Sequence, residues 1–274
     1  MGFIDDMFNL TGKVAVLTGG GGILAGSMAE GFARAGVKVV LLDLYLEKAQ
    51  QKAAALRDAG YAAEGFQCNV LSEENLMQVR DRLLDTYGAV DILVNAAGGN
   101  MPAATVKPDG TIFDLNMKDL QKVTDLNFNG TVLPTLILGK PMAERNSGSI
   151  INISSMASLR VISRVVGYAA AKAAVDNFTR WMAVELAVKF GDGIRVNAIA
   201  PGFLLTEQNR TLLTNEDGSF TERGRDVIRG TPFRRMGDPQ ELVGTVLWLA
   251  SDASRFVTGT VVPVDGGFSV ATGV

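Results

Sequence analysis

Tyr168 and Lys172 stand four residues apart in the stretch GYAAAKAA, in a chain that contains no histidine. Histidine is the side chain most often used for proton transfer near neutral pH, so any acid–base chemistry in this chain needs another group. On a helix, residues separated by four positions project from the same face. The spacing therefore predicts a phenol beside an ammonium group.

A neighbouring cation changes the proton chemistry of a tyrosine. An unperturbed phenol has a pKa near ~10. An ammonium ion about 5 Å away, at an effective dielectric constant of about 20, favours the phenolate by about 3 kcal/mol, or about two pKa units. We therefore expect Lys172 to lower the pKa of Tyr168 enough for general acid–base catalysis. The alternative is an ordinary surface or core pair, which is the commoner origin of this spacing.

A glycine-rich turn early in the chain points to a second kind of chemistry. The apolar run KVAVLTG (13–19) is followed by more glycines and then by a helical pattern. Such a turn presents backbone N–H groups and a helix N-terminus to a pyrophosphate. Asp43 ends the next apolar run, 24 residues after Gly19, where a carboxylate would accept hydrogen bonds from a ribose and repel a 2′-phosphate. The pattern predicts a dinucleotide site that favours NAD over NADP. The alternative is a tight turn and an aspartate that caps a helix.

Apolar runs of strand length alternate with helical patterns along the chain. The predicted strands are 13–19, 37–43, 62–70, 90–99, 147–155, 193–202 and 259–267, and a long helical region is predicted from 117 to about 145. Continuous apolar strands separated by helices are typical of a parallel sheet covered on both faces. We expect an α/β fold: one doubly wound (Rossmann) domain over 1–274, with a seven-stranded, mostly parallel sheet and helices on both faces. A long polar stretch at about 203–237 is expected to be irregular and to serve as a substrate lid.

Composition excludes several other classes of protein. Of the 274 residues, 47% are hydrophobic and 20% charged, with a net charge of −3 and no basic stripe, so we expect no nucleic-acid partner. One cysteine, Cys68, and no histidine make a metal site improbable. No segment approaches the ~18 uncharged apolar residues of a membrane span. The acidic start, MGFIDDMFNL, is unlike a secretory signal, so a cytoplasmic protein is expected.

The residues around the Tyr–Lys pair resemble those of the short-chain dehydrogenase/reductase family, over about residues 10–267. The similarity lies in Tyr168 and Lys172, in Ser155 of NISS, thirteen residues before the tyrosine, and in Asn127 of DLNFNG. The resemblance implies that Tyr168 transfers a proton to or from a substrate oxygen and that Ser155 orients this oxygen. It also implies that Lys172 holds the nicotinamide ribose and that Asn127 positions a water in a proton relay.

The resemblance also implies NAD as the cofactor and a set of residues that bind it. They are Gly19, Gly22, Ile23, Leu24, Asp43, Asn69, Val70, Asn95, Ala96, Ala97, Gly98, Tyr168, Lys172, Pro201, Gly202 and Thr206. Three positions depart from the family pattern. Ile23 and Ala25 stand where T-G-x-x-x-G-x-G has its second and third glycines, and Asn69 stands where an aspartate is common. An amide can accept from the adenine amino group and donate to a ring nitrogen, so we expect Asn69 to keep that role.

Finer features resemble the D-mannonate oxidoreductase (fructuronate reductase) branch of the family, which interconverts a keto sugar acid and a sugar acid. The stretches AAGGNMPAAT, DLNFNGTVLPT and APGFLLTEQNR carry this similarity. Amide groups suit the hydroxyl groups of such a substrate, and a guanidinium fork suits its carboxylate. The expected substrate-binding residues are Asn100, Arg160, Arg164, Gln208, Asn209 and Arg210, although each arginine alone can also be a solvated surface charge.

Two other functions stay open at this point. One is a polyol, sugar or other secondary-alcohol dehydrogenase of the same family. The other is a non-catalytic NAD sensor, although sensors of this type usually lose the tyrosine or the lysine. The resemblance further implies a homotetramer.

Overall fold

Seven strands lie side by side in one sheet. The computed structural model describes residues 2–272, apart from the side chains of residues 207, 208 and 211. The strand order is β3-β2-β1-β4-β5-β6-β7, and every pair of neighbours runs parallel. The strands are β1 (Val14–Thr18), β2 (Lys38–Asp43), β3 (Ala63–Gln67), β4 (Ile92–Asn95), β5 (Gly148–Ile153), β6 (Ile194–Pro201) and β7 (Val261–Val264). The predicted doubly wound α/β class is confirmed, and the sheet is parallel throughout.

Helices connect the strands. They are α1 (Phe3–Met7), α2 (Ile23–Arg34), α3 (Leu46–Asp58), α4 (Glu73–Tyr87), α5 (Met117–Thr124), α6 (Gly130–Glu144), α7 (Val166–Phe190), α8 (Glu207–Leu213), α9 (Glu222–Gly230) and α10 (Val243–Ala250). Within the described part of the chain, none of these helices has both the length and the apolar character needed to cross a membrane.

The two faces of the sheet bury two separate hydrophobic clusters. Leu17 and Leu41 pack with residues of α2, α3 and α10. Val16 and Val40, their immediate neighbours, pack on the opposite side with residues of α4, α6 and α7. This follows from the alternation of side chains along a strand, and each fully buried aliphatic side chain contributes about 1.5–3 kcal/mol. Because both faces are covered, the strands read as continuous apolar runs in the sequence.

The helical region predicted from 117 to 145 is divided. A π-helical turn, Asp125–Asn129, separates α5 from α6. Such wide turns are rare in proteins as a whole, and those that occur are often found at functional sites. Asn127 lies in this turn and is fully buried.

The stretch 203–237 contains two helices, so the expectation that it is irregular is wrong. Helices α8 and α9 pack around a small cluster of Leu213, Val227 and Met236. Thr221 caps α9 by accepting a hydrogen bond from the Gly224 N–H at 3.1 Å. These local caps and this small core give regular structure to a segment whose composition is polar.

The sheet also defines where a ligand can bind. The strand order reverses between the neighbouring strands β1 and β4. From β1 the chain builds the sheet toward the β3 edge, and from β4 it builds the sheet toward the β7 edge. In parallel α/β sheets, ligands bind outside the carboxyl ends of the strands at such a switch point. The glycine turn after β1 and the loop after β4 both start there.

Candidate active site

A long cleft of about 1170 Å³ runs along the carboxyl ends of the strands. Its walls come from the segments after β1 to β6 and from the start of α7. Of the predicted site residues, the following line it: Gly19, Gly22, Ile23, Leu24, Asp43, Asn69, Val70, Ala96, Ala97, Gly98, Asn100, Ser155, Tyr168, Lys172, Pro201, Gly202, Thr206 and Asn209. The fold thus gathers residues that are far apart in the sequence into one place.

The glycine turn fits a pyrophosphate. Gly19 has a φ of +63°, and a Cβ there would stand 2.8 Å from the Cα of Ala97, so only glycine is accommodated. Gly22 caps α2 without a side-chain hydrogen bond, and the first-turn residues Ile23 and Leu24 line the cleft. The N–H groups of a first helical turn have no acceptor within the helix. The positive end of α2 therefore faces the space where a dinucleotide phosphate would sit.

Asp43 ties the glycine turn to the end of β2. Its Oδ2 accepts a hydrogen bond from Gly21 N–H at 2.9 Å, and its Oδ1 accepts one from Tyr45 N–H at 3.0 Å. The side chains of Lys48 and Lys52, which the sequence analysis did not select, line the same end of the cleft. A negatively charged group bound there would meet one carboxylate and two ammonium groups.

The segments after β3 and β4 form a further part of the cleft wall. Asn69 is exposed to the cleft, and its amide oxygen accepts a hydrogen bond from Leu71 N–H at 3.0 Å. Asn95, in contrast, does not line the cleft. Its side chain is buried and donates to Thr135 Oγ1 and Asn152 Oδ1, both at 2.8 Å, so it joins β4 to β5 and α6.

Ser155, Tyr168 and Lys172 meet at the middle of the cleft. Ser155 follows β5, and the other two lie on the first turns of α7, which packs on β6. The Lys172 Nζ lies 5.7 Å from the centroid of the Tyr168 ring and donates to the Ile153 carbonyl at 2.7 Å. The lysine is therefore held by the last residue of β5 while it stays beside the phenol.

Burial dominates the proton affinities of this pair. It raises the pKa of Tyr168 above its ordinary value, and the hydrogen bond with the Ser155 side chain opposes the rise. It lowers the pKa of Lys172 to about 8, with the charge of Asp176 opposing that change. The expectation that Lys172 lowers the Tyr168 pKa is wrong for the protein alone. The physical reason is that desolvation, which the spacing does not reveal, disfavours both charged forms.

Asn127 holds a loop of the cleft in place. Its side-chain amide donates to the carbonyls of Gly99 at 2.8 Å and Val123 at 2.7 Å, and its Oδ1 accepts from Gly99 N–H at 2.9 Å. A Cβ at Gly98 would lie 2.6 Å from Asn127 Oδ1 and 3.3 Å from Lys172 Nζ. The π-helical turn therefore positions Asn127 against the loop after β4, beside the same glycine that Lys172 approaches.

A buried carboxylate lies one helical turn beyond Lys172. Asp176 is 3% exposed, and its Oδ2 accepts a hydrogen bond from Ser158 Oγ at 2.6 Å. Within the described residues its Oδ1 has no hydrogen-bond partner. Asp176 is not among the site residues predicted from the sequence, although its spacing of four from Lys172 places the two on one helix face.

The predicted substrate residues do not all reach the cleft. Asn100 and Asn209 line it, but each also serves its own loop: Asn100 donates to Thr105 Oγ1 at 2.7 Å, and Asn209 donates to the Leu204 carbonyl at 2.8 Å. The side chain of Gln208 lies outside the described residues. Arg210 is exposed and is not among the residues that line the cleft.

Two other predicted arginines line a smaller neighbouring cavity of about 510 Å³. Arg160 donates to the carbonyl of Ala271. Arg164 donates through Nε to the Val106 carbonyl at 2.5 Å. The arginine that does line the main cleft is Arg223 of α9, which the sequence analysis missed among the several arginines of its segment.

Comparison with known proteins agrees with this geometry. A family model described as Enoyl-(Acyl carrier protein) reductase matches residues 22–269. The uncharacterized oxidoreductase UxuB of Bacillus subtilis (strain 168) is 45% identical over 275 residues, which cover 97% of this chain and 98% of the relative.

Two solved structures are similar over nearly their whole length. One is a Haemophilus influenza protein with bound NAD, for which a D-mannonate oxidoreductase activity has been proposed. It is 40% identical with a TM-score of 0.91, covering 97% of this chain and 98% of that one. The other is a gluconate 5-dehydrogenase from Burkholderia cenocepacia J2315 in complex with NADP and tartrate. It is 32% identical with a TM-score of 0.85, covering 97% and 99%.

The cleft, the Ser155–Tyr168–Lys172 arrangement and these similarities have one explanation. The chain belongs to the short-chain dehydrogenase/reductase family of oxidoreductases, whose members use a nicotinamide cofactor.

Proposed function

We propose that the protein is an NAD(H)-dependent oxidoreductase that interconverts a keto sugar acid and a sugar acid of the D-fructuronate/D-mannonate type. The observation that carries the proposal is one cleft in which a cofactor-sized groove, the Ser155–Tyr168–Lys172 group and a guanidinium group from α9 meet. The groove can hold a dinucleotide, and the Ser155–Tyr168–Lys172 group can transfer a proton. The guanidinium group can bind a carboxylate.

The cofactor part of the proposal rests on the glycine turn and Asp43. The first turn of α2 would hold the pyrophosphate, and Asp43 would accept hydrogen bonds from the adenosine ribose. NAD is favoured because the Asp43 carboxylate repels a 2′-phosphate. Bound NAD(H) would exchange a hydride with the substrate carbon.

The proton chemistry is assigned to Tyr168. In the reducing direction its hydroxyl donates a proton to the substrate carbonyl oxygen, while the Ser155 hydroxyl donates a hydrogen bond to the same oxygen. The raised pKa of Tyr168 keeps this proton available at neutral pH. The ammonium group of Lys172, 5.7 Å from the ring centroid, stabilises the phenolate that proton transfer leaves behind. In the oxidising direction Tyr168 takes the proton back. Asn127 acts as a positioning residue, because its side chain fixes the backbone of Gly99.

The substrate class rests on charge and on similarity. A sugar acid presents hydroxyl groups and one carboxylate, and the cleft offers the amides of Asn100 and Asn209 and the cation of Arg223. Of the similar structures, one carries a proposed D-mannonate oxidoreductase activity and another is a gluconate 5-dehydrogenase. Helices α8 and α9, within 203–237, form one wall of the cleft and would act as the substrate lid.

A homotetramer is part of the proposal. Trp181, Val184 and Val188 lie on one face of α7 and are 60%, 65% and 74% exposed. A stripe of this kind on a long helix is typical of a surface that another copy covers. Leu136 of α6, a helix that also contacts α7, is 51% exposed.

The direct test is a substrate panel with purified protein. Keto sugar acids, sugar acids and polyols are assayed with NAD(H) and NADP(H) by following the absorbance of the reduced cofactor. We expect the highest kcat/KM for a sugar acid or its keto form with NAD(H). A preference for a neutral polyol would favour the second candidate, a polyol dehydrogenase. NAD binding without turnover of any alcohol would favour a sensor.

A further inference from the structure

Arg223 occupies an unusual position for a guanidinium group. It is the second residue of α9, and it lines the same cleft as Ser155 and Tyr168. The side chain is partly buried, in contrast to the exposed Arg225 and Arg229 on the same helix. A charge is removed from water in this way only where something compensates for it.

The described residues provide Arg223 with little compensation. Its Nε is buried without a hydrogen-bond partner among them, and its Nη1 lies 3.5 Å from Ser163 Oγ, at the outer limit for a hydrogen bond. The other two arginines of this helix already have partners. Arg225 donates to the Phe220 carbonyl at 2.6 Å, and Arg229 lies 3.3 Å from Asp226. Arg223 therefore has donors left over, and they lie at the cleft.

The charge of Arg164, which lines the smaller neighbouring cavity, acts on Arg223. Burial and the charge of Arg164 lower the pKa of Arg223, and Asp226 opposes them. Arg164 is held in place by its Nε–H bond to Val106 and by a backbone φ of +75°, a left-handed conformation that is uncommon for a residue other than glycine. Unusual backbone conformations cluster at ligand sites. The positive charge of Arg164 therefore adds to the attraction that Arg223 exerts on an anion.

We propose that Arg223 binds the carboxylate of the substrate. This assignment rests on the proposed function and refines it, because it identifies the residue that separates a sugar acid from a neutral polyol. A guanidinium fork can donate two parallel hydrogen bonds to a carboxylate. The three predicted arginines do not take this role. Arg160 and Arg164 line the neighbouring cavity and donate to backbone carbonyls, and Arg210 is not among the residues that line the cleft.

The test compares Arg223→Ala, Arg223→Lys and the control Arg229→Ala, which removes an exposed arginine from the same helix. Each variant is assayed with D-mannonate and with D-mannitol, which has a hydroxymethyl group in place of the carboxylate. A hydrogen-bonded charge pair predicts that Arg223→Ala lowers kcat/KM for D-mannonate about 10- to 150-fold, and that D-mannitol turnover changes little. Arg223→Lys should fall between, because an ammonium group keeps the charge and loses the fork. Arg229→Ala should match the wild type on both substrates.

A binding measurement separates this inference from the proposed reaction. Isothermal titration of the NADH-loaded protein with D-mannonate and with D-mannitol needs no turnover. Weaker D-mannonate binding in Arg223→Ala alone supports the assignment even if the oxidised substrate proves to be another sugar acid. Unchanged D-mannonate binding and turnover in Arg223→Ala would overturn the assignment. An equal loss of affinity for D-mannonate and D-mannitol would also overturn it, because Arg223 would then act only as a contact between α9 and Ser163. Wild-type protein that turns over only D-mannitol would overturn the proposed substrate class itself.

Discussion

Replacing Asp43 by alanine tests how the protein selects its cofactor. Asp43 is the only carboxylate that lines the cleft among the described residues, and both of its oxygens accept backbone hydrogen bonds, from Gly21 at 2.9 Å and from Tyr45 at 3.0 Å. These contacts fix the carboxylate at the end of β2. A fixed charge cannot move aside when a 2′-phosphate approaches.

The expected magnitude follows from the charges at this end of the cleft. At about 5 Å and an effective dielectric constant of about 20, each unit of phosphate charge costs about 3 kcal/mol against the carboxylate. A phosphate with nearly two charges would double this cost. Lys48 and Lys52 line the same region, and their positive charges offset part of this repulsion energy. A net cost of about 3 kcal/mol predicts a preference for NADH over NADPH of about 10²-fold.

The assay is kcat/KM for NADH and for NADPH in the wild type, in Asp43→Ala and in Lys52→Ala. The aspartate variant should reduce the preference for NADH over NADPH to within a few fold. It should also weaken NADH binding, because the ribose loses a hydrogen-bond acceptor. The lysine variant should increase the preference, since one cation that offsets the repulsion is gone. Comparable use of both cofactors by the wild type would refute the reasoning. An equal fall in kcat/KM for NADH and for NADPH in Asp43→Ala would mean that the carboxylate only anchors the glycine turn.

Three further outcomes are expected. Tyr168→Phe should lower kcat about 10²- to 10⁴-fold through loss of the proton donor while the NAD dissociation constant stays within a few fold, and near-normal turnover would contradict its role. Burial lowers the pKa of Lys172 to about 8, so its ammonium form is complete below that pH and is lost above it. Carbonyl reduction, measured as kcat/KM from pH 6 to about 10, should therefore decline above about 8. A flat profile would contradict this. Replacing Trp181 and Val184 by glutamate should convert a tetramer into smaller species in light scattering after size exclusion. An unchanged mass would place the interface elsewhere.

The sheet could be predicted from the sequence because its signal is local and repeated. A strand covered on both faces needs apolar residues at successive positions, as in VAVLT (14–18) and VVLL (39–42), and this requirement holds wherever the strand lies in the chain. The division at 125–129 was not predictable in this way. A π-helical turn has the same composition as the helix around it, and only the packing of Asn127 against Gly99 reveals its use.

The candidate site was predictable where spacing alone determines proximity. Tyr168 and Lys172 share a helix face because they are four residues apart. The direction of their pKa values depends on desolvation, which arises from the surrounding fold, so spacing alone gave the opposite result for Tyr168. Arg223 posed a different difficulty. Several arginines lie within a few residues of it, and only the tertiary structure distinguishes the one that lines the cleft.

Under the proposed function, reaction chemistry and substrate choice reside in different parts of this fold. Lys172 is fixed by the Ile153 carbonyl at the end of β5, and Asn127 holds the backbone of Gly99 in the loop after β4. Both residues thus position the site of proton transfer at the carboxyl edge of the sheet. Arg223 lies on α9, which packs on a cluster of three buried side chains between β6 and α10. Such a small core resists local unfolding less than the central sheet does. On this proposal, changes on α9 should alter which substrate is bound without disturbing proton transfer, whereas a change at Lys172 or Asn127 should affect every substrate alike.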